Sequence, residues 1–445
     1  MQKRWVAAGI GLVAAIVGVL LAILLSVERS DTSTGTGDDR NTGGDNIDDA
    51  INRNRRKPNS RVGLTSLDGS SSGSGSLDDV VEETDPLAEN YTATALAIGD
   101  WGRTVAKAGG SCCSRRKSYT VLDYNAMEYT ATLLGLAAQE LVPRPAVVIS
   151  HGDNFYWTGL GSASDQAYRF QQTFEEKYAD PALAGIPWIT VLGNHDYGGA
   201  SFVCSDDAGV PTECGSTAEL LFHLSRKFEL QSQYVSPNAD RWHMPDHFYV
   251  YSFGDPATNT TVDVFNLDTN DADSHGARQI CCQCYGYAGG DDDACEDVDR
   301  GQRYCAGGDT AMFDSCMRQL RAWGDDSRAR LVEAARASNA TWKIVNTHYS
   351  PYSHYAPHRA DEWRELLDGL GVQLFLYGHT HGEKHDYASF GTHFLKFLTF
   401  DDRWVMNSDL AASVVGGVEE RHCWFVPQRG ARGRSCADAV VSEAE

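Results

Sequence analysis

The sequence is short of positive charge: 38 Lys and Arg stand against 61 Asp and Glu, for a formal net charge of −23. A surface of that sign repels polyphosphate backbones, which sets nucleic-acid binding aside. Phosphate esters stay open as substrates, because a bound pair of cations reverses the local field. Aromatic residues are missing and apolar ones sparse between Ser30 and Glu89, a stretch rich in Gly, Ser, Thr, Asp and Asn. Such a stretch cannot bury a core, so a disordered tether is expected at 28–89. Within it, Arg53-Asn54-Arg55-Arg56 reads as a solvated charge run, with a dibasic processing site as the alternative.

Long apolar runs are also missing, with one exception. From Trp5 to Val27 the chain stays apolar for about 23 residues, enough to cross a bilayer and longer than a signal-peptide core of about 7–15. Lys3 and Arg4 keep a short tail, residues 1–4, on the cytoplasmic side. The expectation is a single-pass type II membrane protein with a transmembrane signal anchor at 5–27 and its folded domain lumenal or extracellular. A cleaved leader is the alternative, and would secrete the same domain.

What is present supports a sizeable core: 445 residues, 42% hydrophobic, with 10 Trp, 19 Tyr and 16 Phe. Twelve cysteines suit an exported chain, as do the sequons at Asn90, Asn259 and Asn339. Beyond Tyr91 short apolar runs appear at Thr94–Ile98, Ala146–Ser150, Trp188–Leu192, Val262–Leu267, Trp342–Asn346 and Val372–Tyr377, and these read as buried strands. Asn125–Leu141, Leu331–Ala337 and Asp361–Leu370 read as helices. Alternating strands and helices indicate an α/β architecture, in which ligands bind at the carboxyl ends of strands.

Five of those strand ends carry polar clusters: Gly99-Asp100-Trp101-Gly102, Gly152-Asp153-Asn154-Phe155-Tyr156, Gly193-Asn194-His195-Asp196, His348, and Gly378-His379-Thr380-His381. Carboxylate, amide, phenol and imidazole donors without a cysteine among them suit Fe, Mn or Zn and argue against a thiolate site. Singly, each cluster is a common turn or a structural histidine. In order and at five strand ends, they point to one metal-bearing rim.

These segments resemble the five-block signature of the calcineurin-like metallophosphoesterases, in its purple acid phosphatase form, where a Tyr follows the second-block Asp by three residues, as Tyr156 follows Asp153. The local wording is closest to the small, tartrate-resistant type, which Leu267-Asp268-Thr269 also resembles, and the likeness runs from about Ala93 to Phe400. The resemblance implies a four-layer α/β/β/α sandwich over 90–436. It implies an acid phosphatase that hydrolyses phosphate monoesters, small ones or phosphoproteins, by in-line attack of a metal-activated hydroxide. Asp100, Asp153, Tyr156 and His381 would hold Fe(III). Asp153 would bridge to a divalent ion (Fe, Zn or Mn) on Asn194, His348 and His379. His195 would protonate the leaving group or steady the phosphoryl oxygens, with Asp196 orienting its ring.

The likeness thins at about 270–325, an expected insertion holding Cys281, Cys282, Cys284, Cys295, Cys305 and Cys316. Disulfide staples are the reading there, with a zinc site on Cys281-Cys282-Gln283-Cys284 as the alternative. Cys204 with Cys214, and Cys423 with Cys436, are near enough for local bridges, and Cys112 and Cys113 sit in the loop after the first block. The Tyr- and His-rich segment from Tyr349 to His358 either shapes a pocket or packs on the surface. Two competing functions stand beside the phosphatase. One is a phosphodiesterase or nucleotide pyrophosphatase with two divalent ions, against which Tyr156 argues. The other is a receptor on a decayed scaffold, against which the full set of expected ligands argues.

Overall fold

A computed structural model describes residues 92–102 and 126–379, apart from 292 and 296, with the backbone of Ala14–Ala15, Lys384–Tyr387, His393–Lys396, Trp424–Phe425 and Arg434–Ser435. The expected span 5–27 lies outside these residues except for Ala14–Ala15, which pair in parallel with Ala95 and Leu96. The expected tether 28–89, Cys112, Cys113, Cys423 and Cys436 lie outside them too. Among the described residues no helix is long and apolar enough to cross a membrane.

Ala95–Ile98, Val148–Ser150, Trp188–Thr190 and Trp242–His243 lie side by side in parallel. A second sheet runs in the order Lys384–Tyr387, His393–Lys396, Leu374–Tyr377, Trp342–Asn346, Thr260–Leu267, Phe248–Asp255. Its centre is parallel and both edges close as antiparallel pairs.

Side chains alternate across each strand, so the apolar runs serve two cores at once. Ala95, Ala97, Ile149 and Ile189 of the first sheet share one cluster with Val262, Val264, Ile344, Leu374 and Leu376 of the second. Their neighbours turn outward. Leu96, Ile98, Val148 and Trp188 pack with Leu133, Leu134, Ala137 and Ala138 of the helix Ala126–Glu140. Phe265, Leu267, Val345, Phe375 and Tyr377 pack with Leu331, Ala335, Trp363 and Leu367 of the helices Thr310–Ala337 and Pro357–Leu367. Helix, sheet, sheet and helix therefore follow one another. The outer core of the first sheet centres on Trp101, whose ring lies 5.2 Å from Trp188 and 5.4 Å from Tyr178. Its Nε1 donates to Ser150 Oγ at 2.8 Å, so the buried indole leaves no polar atom unmet.

Caps set the helix starts. Ser216 Oγ accepts from Glu219 N at 3.2 Å while Glu219 Oε2 accepts from Gly215 N at 2.7 Å, opening Thr217–Ser232. Asp309 Oδ1 accepts from Ala311 N at 2.9 Å and Met312 N at 3.0 Å, opening Thr310–Ala337. That helix is longer than the one expected at Leu331–Ala337. It begins inside 270–325, and Leu331–Ala337 is only its last part.

The zinc alternative is also overturned. Cys281, Cys282 and Cys284 are bonded to Cys316, Cys305 and Cys295, so no thiolate remains to hold an ion. Cys204 and Cys214 form the expected local bridge.

Candidate metal centre

Five of the seven candidate ligands stand just after a strand stops. Asp100 follows Ala95–Ile98, Asp153 follows Val148–Ser150, Asn194 follows Trp188–Thr190, His348 follows Trp342–Asn346 and His379 follows Leu374–Tyr377. The close approach of these loops needs glycine at two points. A Cβ on Gly193 would lie 2.1 Å from Asp153 Oδ1, and one on Gly378 would lie 2.6 Å from Asp100 Oδ2.

The donor atoms converge. His348 Nε2 is 3.5 Å from Asp153 Oδ1, 3.3 Å from Asn194 Oδ1 and 3.2 Å from His379 Nδ1. His379 Nδ1 is in turn 3.1 Å from Asn194 Oδ1. His348 Nδ1 donates to the His151 carbonyl at 2.8 Å, which makes Nε2 the acceptor atom of that ring, facing Asn194 and His379. An anionic oxygen, an amide oxygen and an imidazole lone pair thus face one another in a buried place. A cation placed among them would be met by three electron-pair donors at once, so this donor set fits a metal ion.

Beside it, Asp100 accepts from the His379 backbone N at 3.0 Å to each oxygen, and the Tyr156 hydroxyl donates to Asp100 Oδ1 at 3.3 Å. Burial, then Asp153 and Asp100, push the Tyr156 phenol well above its usual range. Only a strong local positive charge would make it a phenolate. The structure therefore brings Asp100, Asp153, Tyr156, Asn194, His348 and His379 together. His381 lies outside the described residues.

Asp196, which the resemblance implied would orient His195, is engaged with three backbone N–H groups and Gln231. Its Oδ2 accepts from Gly193 N at 2.8 Å and Asn154 N at 3.1 Å, and its Oδ1 from Phe155 N at 3.0 Å and Gln231 Nε2 at 2.9 Å. It is a buried clasp between the second and third blocks. Burial and then Asp153 push its carboxyl up to about 7, against the pull of those N–H donors. His195 is instead held by a backbone group: its Nδ1 donates to the Trp157 carbonyl at 2.9 Å, which turns Nε2 away from that loop. The flanking carbonyls are held as well, Tyr156 O by Arg169 and Thr158 O by the buried Lys227 at 2.5 Å.

Sequence reasoning missed this carbonyl ladder, as well as His151, Asn266 and Asn346. His151 Nδ1 donates to Asn346 Oδ1 at 2.6 Å, and Asn346 Nδ2 donates to Asn266 Oδ1 at 2.8 Å across the strand pair. Burial pushes the His151 ring down to about 4, so it stays neutral, while its backbone carbonyl accepts from His348. A polar residue closing an apolar strand was the available signal for both asparagines. Tyr349 and His354, from the segment expected either to shape a pocket or to pack, lie 4.7 and 4.8 Å from the His379 ring.

Residues 93–383 match the calcineurin-like phosphoesterase family. The tartrate-resistant acid phosphatase type 5 of Mus musculus is 27% identical over 303 residues, 67% of this chain and 69% of that protein. The Rattus norvegicus protein of the same name is 30% identical over 190 residues, 41% and 44% of the two chains. Purple acid phosphatase 3 of Arabidopsis thaliana is 38% identical over 114 residues, 26% and 25% of the two chains.

Proposed function

The chain belongs to the calcineurin-like phosphoesterases, and from that premise we propose that it is an acid phosphatase of the purple type, hydrolysing phosphate monoesters at a binuclear centre. The observation that carries this reading is the convergence of Asp153, Asn194, His348 and His379, with Asp100 and Tyr156 against the same aspartate. Asp153 would be shared. Asp100, Tyr156 and His381 would complete an Fe(III) site, and Asn194, His348 and His379 a divalent site. Two such cations, when bound, lower the pKa of a water and neutralise the phosphoryl oxygens.

The chain's own residues then do the rest. His348 is fixed in one tautomer by the His151 carbonyl, so its donor atom needs no reorganisation. His195, with Nδ1 committed to Trp157, presents Nε2 as the atom that carries a proton to the leaving oxygen. Asp196 keeps the loops of the second and third blocks in register.

The competing phosphodiesterase reading has no use for a phenol beside Asp100. The test is metal analysis and a visible spectrum of the purified protein, with p-nitrophenyl phosphate hydrolysis at pH 5. The expected result is iron, a visible band that Tyr156→Phe abolishes, and loss of hydrolysis in Asp153→Ala. Near-wild-type turnover by Asp153→Ala would overturn the enzyme reading, and a colourless iron-free active protein would move it to two divalent ions. We further propose the type II membrane topology, with this domain lumenal or extracellular. Disulfides and the exposed sequon residues Asn259 and Asn339 support that compartment. An unchanged gel mobility after endoglycosidase treatment would count against it.

A further inference from the structure

On the phosphatase reading just given, we propose that His275 is the substrate-recognition histidine of this centre, donating a hydrogen bond to a non-bridging oxygen of the bound phosphate ester. It lies in the segment where the likeness to the small acid phosphatases thins. Its ring centroid is 5.5 Å from that of His379, on the rim of the divalent site. Its side chain is exposed, and its ring makes no hydrogen bond among the described residues. Its backbone sits at φ 58°, a left-handed conformation that L residues adopt rarely.

The loop that carries it is fastened on every side. Asn270 Nδ2 donates to the Leu192 carbonyl at 2.9 Å, tying the loop to the strand end of the third block. Asp273 N and Ser274 N both donate to the His354 carbonyl at 2.9 Å. The Tyr349 hydroxyl donates to the His275 carbonyl at 2.8 Å. Asp273 accepts from Ala356 N at 2.8 Å and from Arg359 at 2.9 Å, and Asp271 is locked between Arg328 and Arg359. His354, another imidazole near His379, is buried, and its Nδ1 accepts from Ser350 N at 3.1 Å. Among the described residues, His275 combines a rigid mount, an exposed ring and a place beside a candidate ligand. An imidazole so placed meets whatever anion bridges or caps the ions, as a donor that the ligands themselves cannot supply.

The test uses the metal-loaded full chain. Kinetics with p-nitrophenyl phosphate are combined with calorimetric binding of inorganic phosphate. His275→Asn suits the left-handed backbone but falls short of the ligand, and should raise KM and the phosphate dissociation constant by about tenfold, the loss of one hydrogen bond to a charged group. Turnover should fall far less, and His275→Gln, which restores a longer donor, should recover part of the affinity. Unchanged phosphate affinity in His275→Asn overturns the proposal. So does an equal fall in turnover in both variants at constant KM, which marks a structural role. A wild-type protein that binds phosphate but hydrolyses no monoester sinks the phosphatase reading alone, since the calorimetric comparison still reads His275.

Discussion

Asp271→Asn should destabilise the domain by about 3 kcal/mol through the loss of one buried negative charge. The Asp271 side chain has no exposed surface, while Arg328 and Arg359 beside it are 15% and 17% exposed. Arg328 Nη2 donates to Asp271 Oδ2 at 2.8 Å, Arg359 Nη2 donates to the same oxygen, and the Tyr355 hydroxyl donates to Oδ1 at 3.1 Å. An asparagine keeps the shape but presents a neutral amide to two guanidinium groups. Removing one partner of a buried pair costs about 3–5 kcal/mol, because the other charge stays behind uncompensated. The low end applies here, since Arg359 keeps Asp273 and Arg328 keeps the exposed Asp325. At about 2.1 cal/mol/K of unfolding entropy per residue, a domain of this size shows that as a fall in Tm of roughly 4 °C, read by calorimetry on metal-loaded protein at pH 7. The double variant Asp271→Asn with Arg359→Met should lose less than the sum of the singles. A loss below about 1 kcal/mol would mean that the cluster behaves as a screened surface pair, and the reasoning would fail.

Gly378→Ala drives a Cβ to 2.6 Å from Asp100 Oδ2, so it should cut bound metal measured by elemental analysis while leaving the far-ultraviolet circular dichroism native; full metal content would refute it. Lys227 is buried, and desolvation pushes its ammonium down to about 8 from 10.5. With the folded value depressed, the penalty of the charged form is complete below pH 8 and relieved as pH climbs to 10.5. The stability of Lys227→Met relative to wild type should therefore fall by up to roughly 3 kcal/mol across that window, and a pH-independent difference in denaturant titrations would contradict it. Chelation should lower Tm, and re-added metal should restore it in a concentration-dependent way; a Tm indifferent to chelator would place the ions elsewhere than among these buried donors.

Strands with buried apolar runs were legible because both faces of each strand are covered, so hydrophobicity needs no alternation to be seen. Phe248–Asp255 was not, since after Phe248 and Tyr249 its residues alternate exposed and half-buried, as an edge strand facing water should. Thr217–Ser232 escaped for a similar reason: Leu220 and Leu224 pack inward while Phe222 stays exposed, which blurs the apolar stripe. At the centre, side chains that chelate were legible by type and by position at strand ends. The partner of His195 was not, because it is a carbonyl, and every residue carries one. Nor were the partners of Asp196, three of them backbone N–H groups, and in the short helix Asn194–Tyr197 neighbouring side chains point in different directions.

That last point extends to the whole rim. Asp100, Asp153 and His379 all have positive φ, at 57°, 54° and 71°, a region that costs a non-glycine residue of order 1–3 kcal/mol. The glycines alongside are not spent on that conformation at Gly193 and Gly378; they are needed for close approach. The strained carboxylates are held by backbone of a different block: Asp100 by the His379 N–H, and Asp153 by the His195 N–H at 3.0 Å. Each block therefore completes the geometry of another, and none can be set correctly alone. This is why isolated motifs in the sequence carry so little weight and five in order carry so much. It also follows that moving one loop should displace a ligand contributed by a different one, as Gly378→Ala is expected to do to Asp100.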